Sequence, residues 1–254
     1  MKHSLPRVVA ACALALAVST TPAAADTTTA GPNKLTFETG LTVKKAAAKG
    51  ARMAADLELK TSLVRADGQR PPETLNTIQF TLGAGVSFDP KAQVQCRESV
   101  FAPKGKPAVA NCPKGSVVGT GTAIVDARPT VPQPLTGKVT IVNGILEPVA
   151  PDGTVVPRSG LLALVSAAGV DAYYSVDFFR QGTLLLVGVA PTPPPGTPPA
   201  LFTVTGLDLK LRGKGKVARK PYIRAPRACK PITFSATYVL NDVPLTAKDR
   251  LVCE

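Results

Sequence analysis

The chain is short of the residues that most often carry chemistry. Its 254 residues include no tryptophan, two methionines and a single histidine, and only 5% are aromatic. With one imidazole, at His3 in the first few residues, there is no Ser-His or Cys-His machinery in the body of the chain and no histidine-ligated metal. No GxSxG elbow and no SxxK dyad occurs. Acidic residues are also scarce, 17 against 30 basic ones. Apolar runs are short as well: none approaches the roughly 20 residues of a membrane-spanning helix. These absences make an enzyme, a cofactor or a metal unexpected. They direct attention to binding or structural roles.

The N-terminal segment reads as an export signal. Lys2, His3 and Arg7 precede the apolar run VVAACALALAV (8–18), and Ala23-Ala24-Ala25 supplies small residues before Asp26. The pattern predicts a secretory signal peptide over 1–25 and an exported chain over 26–254, with no transmembrane insertion after cleavage. Most of the apolar run comes after Cys12, the reverse of the order a lipid-modified cysteine needs.

Cleavage would remove His3 and Cys12 and leave Cys96, Cys112, Cys229 and Cys253. An even count in an exported chain reads as two disulfides, with three pairings open. Proximity favours Cys96–Cys112 and Cys229–Cys253, each contributing about 3 kcal/mol in the chain-entropy model. A four-cysteine zinc site is the competing reading. No CxxC pair supports it, and the expected compartment is oxidising.

Period-two alternation dominates the rest of the chain. LTFETGLTV (35–43), DLELKTSLV (56–64), IQFTL (78–82), LDLKLR (207–212) and TFSATYVL (233–240) each place apolar side chains on one face and polar ones on the other. LLALV (161–165) and LLLVGVA (184–190) are apolar throughout and read as strands buried on both faces. Asn143-Gly144, flanked by apolar runs, is the strongest hairpin signal, with Asp67-Gly68 and Asp152-Gly153 as further turns. KKAAAKGARMAA (44–55) lacks an apolar stripe and reads as a loop. PTPPPGTPP (191–199) reads as an extended surface connection. The expected fold is all-β, a β-sandwich of about ten to twelve mostly antiparallel strands in two packed sheets with few or no helices. The expectation is a single domain over 26–254, with a subdivision near residue 130 left open.

CPKGSVVGTGTA (112–123) tests the case for a nucleotide site. Its lysine and three glycines suggest a phosphate loop, but no GxxxxGK[ST] occurs, and GxGxxG fails because position 124 is Ile. TAIVDA reads as strand rather than the helix a phosphate would need. The segment is expected to be a disulfide-tethered turn leading into a glycine-softened strand.

With a cysteine shortly upstream, CPKGSVVGTGTA resembles a motif of exported, uncharacterised β-rich proteins of high-G+C Gram-positive bacteria. DGQRPPETLNTIQFTLGAGVSFDP (67–90) is similar to their entry before the first cysteine. CKPITFSATYVLNDVPLTAKDRLVC (229–253) is similar to their cysteine-bounded C-terminal strands. The resemblance implies an exported, disulfide-bonded β-sandwich and supplies no activity.

Charge is distributed unevenly. Residues 209–254 carry 11 basic and 3 acidic side chains, whereas 126–208 carry 4 and 6. Lys210, Arg212, Lys214, Lys216, Arg219, Lys220, Arg224, Arg227 and Lys230 fall together, with no acidic residue between Asp208 and Asp242. Such a cluster concentrates polyanions, and in a bacterial envelope these are wall polymers or acidic surfaces. Nucleic acid is disfavoured because Tyr222 is the one ring in the stretch able to stack on a base. A solvated, solubilising loop is the plainer account of such a charge run.

The leading expectation is therefore a non-catalytic, envelope-associated binding or structural module, secreted or held at the envelope through basic 210–230. Two alternatives stand beside it. One is a carboxylate-dependent glycan hydrolase drawing on Glu38, Asp56, Glu58, Asp126, Asp171 and Asp177. The other is a protein–protein module using an exposed sheet edge, its partner unknown.

Overall fold

The computed structural model describes residues 25–43, 53–67, 75–126, 132–181, 184–192, 203–215, 217, 220–226 and 231–252; for 75–76, 179–181 and 184–192 it describes the backbone alone. The expected signal segment, most of the 44–55 loop, most of the proline segment, Cys229 and Cys253 lie outside the described residues.

The fold is all-β, and its long strands pair antiparallel. The long strands are β1 (Asp26–Ala30), β2 (Asn33–Val43), β3 (Ala55–Arg65), β4 (Leu75–Leu82), β7 (Val117–Asp126), β8 (Leu135–Leu146), β9 (Arg158–Ala167), β10 (Val170–Gln181), β11 (Leu184–Thr192), β12 (Thr203–Leu211), β14 (Ile232–Leu240) and β15 (Val243–Leu251). Three two-residue strands complete the set: β5 (Ser87–Phe88), β6 (Cys96–Arg97) and β13 (Ile223–Arg224). Among the described residues the helical elements are the four-residue α1 (Glu98–Phe101) and three 3-10 turns between Pro90 and Asn111.

The architecture is sandwich-like, yet one hydrogen-bonded ladder runs through it, in the order β1-β2-β3-β12-β7-β8-β9-β10-β11-β4-β14-β15. The sheet folds over so that its two ends face each other. Phe37 of β2 meets Phe80 of β4 with ring centroids 6.1 Å apart, and Thr61 of β3 shares a 2.6 Å hydrogen bond with Tyr238 of β14. Strands from before and after residue 130 interleave: β12 lies between β3 and β7, and β4 between β11 and β14.

The outermost strands close on each other through side chains rather than a ladder. Asp249 of β15 accepts the Thr39 N–H at 2.6 Å and the Thr39 hydroxyl at 2.7 Å, and Asp26 of β1 accepts the Lys248 N–H at 3.0 Å. Alternation places Asp249 on the buried parity of β15 with Leu245, Ala247 and Leu251. Both edges of the long sheet are thus turned toward one another instead of offering a free strand.

The alternating segments behave as their pattern requires. β3 reads buried and wet by turns from Ala55 to Leu63, and β14 does so from Ile232 to Leu240. LLALV is covered on both sides, as expected. Leu161 and Val165 face the main core, while Leu162 packs with Cys96, Phe101, Val142 and Leu146 in a second cluster. That outer cover is the segment tied down by the Cys96–Cys112 disulfide, which forms as expected.

Asn143-Gly144 is a correction. The dipeptide does not turn: β8 runs through it, with Asn143 opposite Leu161 and Gly144 opposite Gly160. Positive-φ pairs occur instead at Ala168-Gly169 and Asn241-Asp242, the turns joining β9 to β10 and β14 to β15. A local preference for left-handed backbone lost to tertiary demand. Asn143 is fully buried with its amide engaged, and a Cβ on Gly144 would press into Leu162 at 2.8 Å.

CPKGSVVGTGTA takes the expected form. Gly115 has φ 96° in the turn, and β7 begins at Val117. The strand glycines serve close approach: a Cβ at Gly121 would fall on the Asp208 carbonyl of β12, and one at Gly119 would lie 2.7 Å from the Lys210 carbonyl. Gly121→Ala should therefore destabilise the fold by about 2 kcal/mol, read as a lower urea midpoint, because backbone atoms must yield. Thr120→Ala, at an exposed position beside it, should leave the midpoint in place. Unchanged stability of Gly121→Ala would contradict the close-packing role.

Candidate functional site

The topology gathers one set of loops at one end of the sheet. Val117, which opens β7, pairs with Val142 near the end of β8, and Leu211, which closes β12, pairs with Gly119. The loops before β7, after β8 and after β12 consequently leave the sheet on the same side. So does the segment 83–94, which comes after β4.

Backbone and amide groups knit these loops together. The Asn143 Nδ2 donates to the carbonyls of Pro90, Gln93 and Val94 at 2.9, 3.1 and 3.2 Å, and the Asn143 N–H donates to Ser116 O at 2.8 Å. The Tyr222 hydroxyl donates to Asn143 Oδ1 at 3.3 Å. Gln93 Nε2 reaches Gly115 O at 2.6 Å, and the Val217 N–H reaches Ala92 O at 3.0 Å. Gly213 donates its N–H to Asp56 at 2.7 Å and accepts from the Tyr222 N–H at 2.7 Å. Gly215 has no room for a Cβ, which would fall on the Lys220 and Ala92 carbonyls. The buried Asn143 is the hub.

The described residues of the three knitted segments, 90–94, 113–116 and 212–215 with 217 and 220–222, include no acidic residue. Lys91, Lys114, Arg212, Lys214 and Lys220 are exposed on them, and among the described residues none of the five takes part in an ion pair. The described turns at the opposite end, Gly31-Pro32, Ala66-Asp67, Ala168-Gly169 and Asn241-Asp242, carry no cation and two carboxylates.

This geometry sorts the nine cations expected from sequence. Arg212, Lys214 and Lys220 are exposed at the basic end. Lys210 lies within β12, 3.3 Å from Glu58, and Arg224 of β13 is paired with Asp89. Lys216, Arg219, Arg227 and Lys230 lie outside the described residues. Tyr222 is corrected as a stacking ring: it is fully buried, edge-on to Phe88 at 5.5 Å, and burial pushes its hydroxyl far above the ordinary tyrosine pKa. Lys91 and Lys114 are additions that sequence reading missed, because they lie about a hundred residues or more from the 210–230 run.

The six carboxylates considered for glycan chemistry do not converge. Glu38 and Glu58 share a groove on the outer face of β2, β3 and β12, where Glu38 pairs with Lys60 at 3.4 Å and Glu58 with Lys210. Asp56 caps Gly213 at the basic end, Asp126 is buried at the far end of β7, and Asp171 is exposed at the start of β10. Asp177 pairs with Arg158; burial pushes its carboxyl above the usual range, Arg158 opposes this, and the charge of Glu98 reinforces it. Glu98 itself accepts the Ser175 hydroxyl at 2.7 Å and the Glu147 N–H at 3.0 Å. The Ser99 hydroxyl and N–H hold the Glu147 carboxyl below its ordinary range, with Arg97 adding to the effect.

Among the described residues no group of three or more His, Cys, Asp or Glu side chains is arranged to hold a metal, and no helix is long and apolar enough to cross a membrane. No protein-family model, curated protein or solved structure matches the chain.

Proposed function

We propose that the protein is an exported, envelope-associated binding module that contacts anionic surfaces through the basic end of its β-sandwich. One observation carries the reading: three loops distant in sequence are hydrogen-bonded together and expose Lys91, Lys114, Arg212, Lys214 and Lys220, while the neighbouring carboxylates Asp56 and Asp89 are engaged by the Gly213 N–H and by Arg224. A rigid frame loses little entropy on binding, and clustered charge raises both local anion concentration and the rate of encounter. Export is supported by the signal-like N-terminal sequence and by a disulfide in the body of the fold.

Co-sedimentation with purified bacterial cell walls tests the reading. The wild-type chain should bind at about 0.1 M NaCl and be released toward about 1 M, as the Debye length falls from about 10 to about 3 Å. A variant with Lys91, Lys114, Arg212, Lys214 and Lys220 all replaced by Gln should lose at least about tenfold in affinity at the lower salt. Equal sedimentation of wild type and variant, or salt-insensitive binding, would remove the basic end as the contact.

A further inference from the structure

We propose that the anionic surface this end recognises is a lipid bilayer, on which the hairpin joining β8 to β9 lies with its Val149–Val155 face against the membrane. The proposal rests on the reading of the basic end and adds an apolar element that charge does not explain. The hairpin leaves the sheet on the same side as the basic loops. Its foot is tied there, since Glu147 pairs with Arg97 at 2.9 Å and accepts the Ser99 N–H at 2.9 Å.

The hairpin is ordered by its own bonds. Ala150 N–H donates to Thr154 O at 2.8 Å, Gly153 N–H to Ala150 O at 2.9 Å, and Val156 N–H to Pro148 O at 3.0 Å. Val149 and Val155 sit directly opposite each other as a bridge pair, so their side chains share a face. Yet Val149 is 68% exposed, Val155 48% and Val156 51%. Single exposed valines need no account; Val149 and Val155 on one face of a short, self-paired arm, with Val156 next to them in the chain, add an apolar surface at the same end of the sheet as the cations.

The combination distinguishes among anionic partners. A hydrated wall polymer offers phosphates or carboxylates to the lysines and nothing to the valines. An anionic bilayer offers both, with headgroup charge for Lys91, Lys114, Arg212, Lys214 and Lys220 and an acyl boundary for the hairpin. Asp152 sets the orientation. It sits in the turn with its Oδ1 accepting the Thr154 N–H at 2.9 Å, and a charge at the tip opposes entry tip-first. The arm therefore lies along the surface, on the valine face.

The lack of tryptophan makes the test direct. Val155→Trp introduces a lone indole on the arm, and Val243→Trp introduces one at the opposite end, where Val243 is 59% exposed. Each exported chain is mixed at low salt with vesicles of phosphatidylcholine alone or with phosphatidylglycerol. With the anionic vesicles, Val155→Trp emission should move to the blue and be quenched by bromine-labelled acyl chains, while Val243→Trp emission should not change. Replacing Val149, Val155 and Val156 together by Ser should weaken vesicle binding at least about tenfold and leave wall-polymer binding as it was. Vesicle binding with no change at Val155→Trp, or binding to wall polymer alone, would overturn the bilayer proposal and leave the basic-end reading standing. Absence of low-salt binding to either surface would overturn both.

Discussion

Asn143→Ala is expected to cost about 3 kcal/mol of folding stability and to loosen the basic end at the same time. The side chain is fully buried, and its removal leaves the carbonyls of Pro90, Gln93 and Val94 without their shared donor and the buried Tyr222 hydroxyl without its acceptor. An unmade bond to a buried polar group costs about 1–3 kcal/mol. Asn143→Asp should be worse than Ala, because it sets a buried negative charge against three carbonyl oxygens. Equilibrium urea denaturation reads the first effect as a lower midpoint. Cell-wall co-sedimentation at low salt reads the second, since the loops bearing Lys91, Lys114 and Lys220 are held in register through this residue and its neighbours. A variant with an unchanged midpoint would show that Asn143 is not the hub.

Asp249→Ala should be comparably damaging for a different reason. The carboxylate is 2% exposed and makes two short bonds to Thr39, across the line where the first and last strands of the sheet meet. Hydrogen bonds to a charged group contribute about 1.5–3 kcal/mol each, and truncation strands the Thr39 N–H at an edge with no ladder partner to replace it. Part of that gain is already offset in the native protein, because Asp249 Oδ1 is buried without a partner. The net loss should be about 3 kcal/mol, and Asp249→Asn, which keeps one acceptor oxygen, should lose less than half as much. Amide hydrogen exchange gives a spatial check: β1, β15 and the outer edge of β2 should gain exchange in Asp249→Ala, while the β7–β8–β9 centre stays protected. Uniform loss of protection would mean that the closure does not act locally.

The two residues differ in how far sequence reveals them. Asp249 stands on the apolar parity of VPLTAKDRL, where Leu245, Ala247 and Leu251 also fall, so a carboxylate facing inward is a readable anomaly. Asn143 carries the opposite signal. Asn-Gly between apolar runs is the pattern of a two-residue hairpin, and only the packing of Gly144 against Leu162 and the three waiting carbonyls reverses it. In the basic end, Arg212, Lys214 and Lys220 are visible as a charge run. Lys91 and Lys114 join them through hydrogen bonds between loops far apart in the chain, which no local pattern encodes. The sequence also shows no sign that Tyr222, set among cations, turns into the core.

By itself the sequence determined the class of the fold and most of its strands, because period-two alternation is a local consequence of the pleat and survives any arrangement of neighbours. It also favoured the Cys96–Cys112 pairing among the three open to it, since a separation of 16 residues eases that encounter, and the structure forms it. Tertiary structure alone decided that the strands form one ladder folded onto itself, closed by Asp26 and Asp249. It alone decided that the glycines of CPKGSVVGTGTA admit a neighbouring strand, and that cations from three segments share one end. These depend on which strand lies beside which. Strand order is set by long-range burial and hydrogen bonding, whose energies attach to pairs of residues that the linear pattern does not bring together.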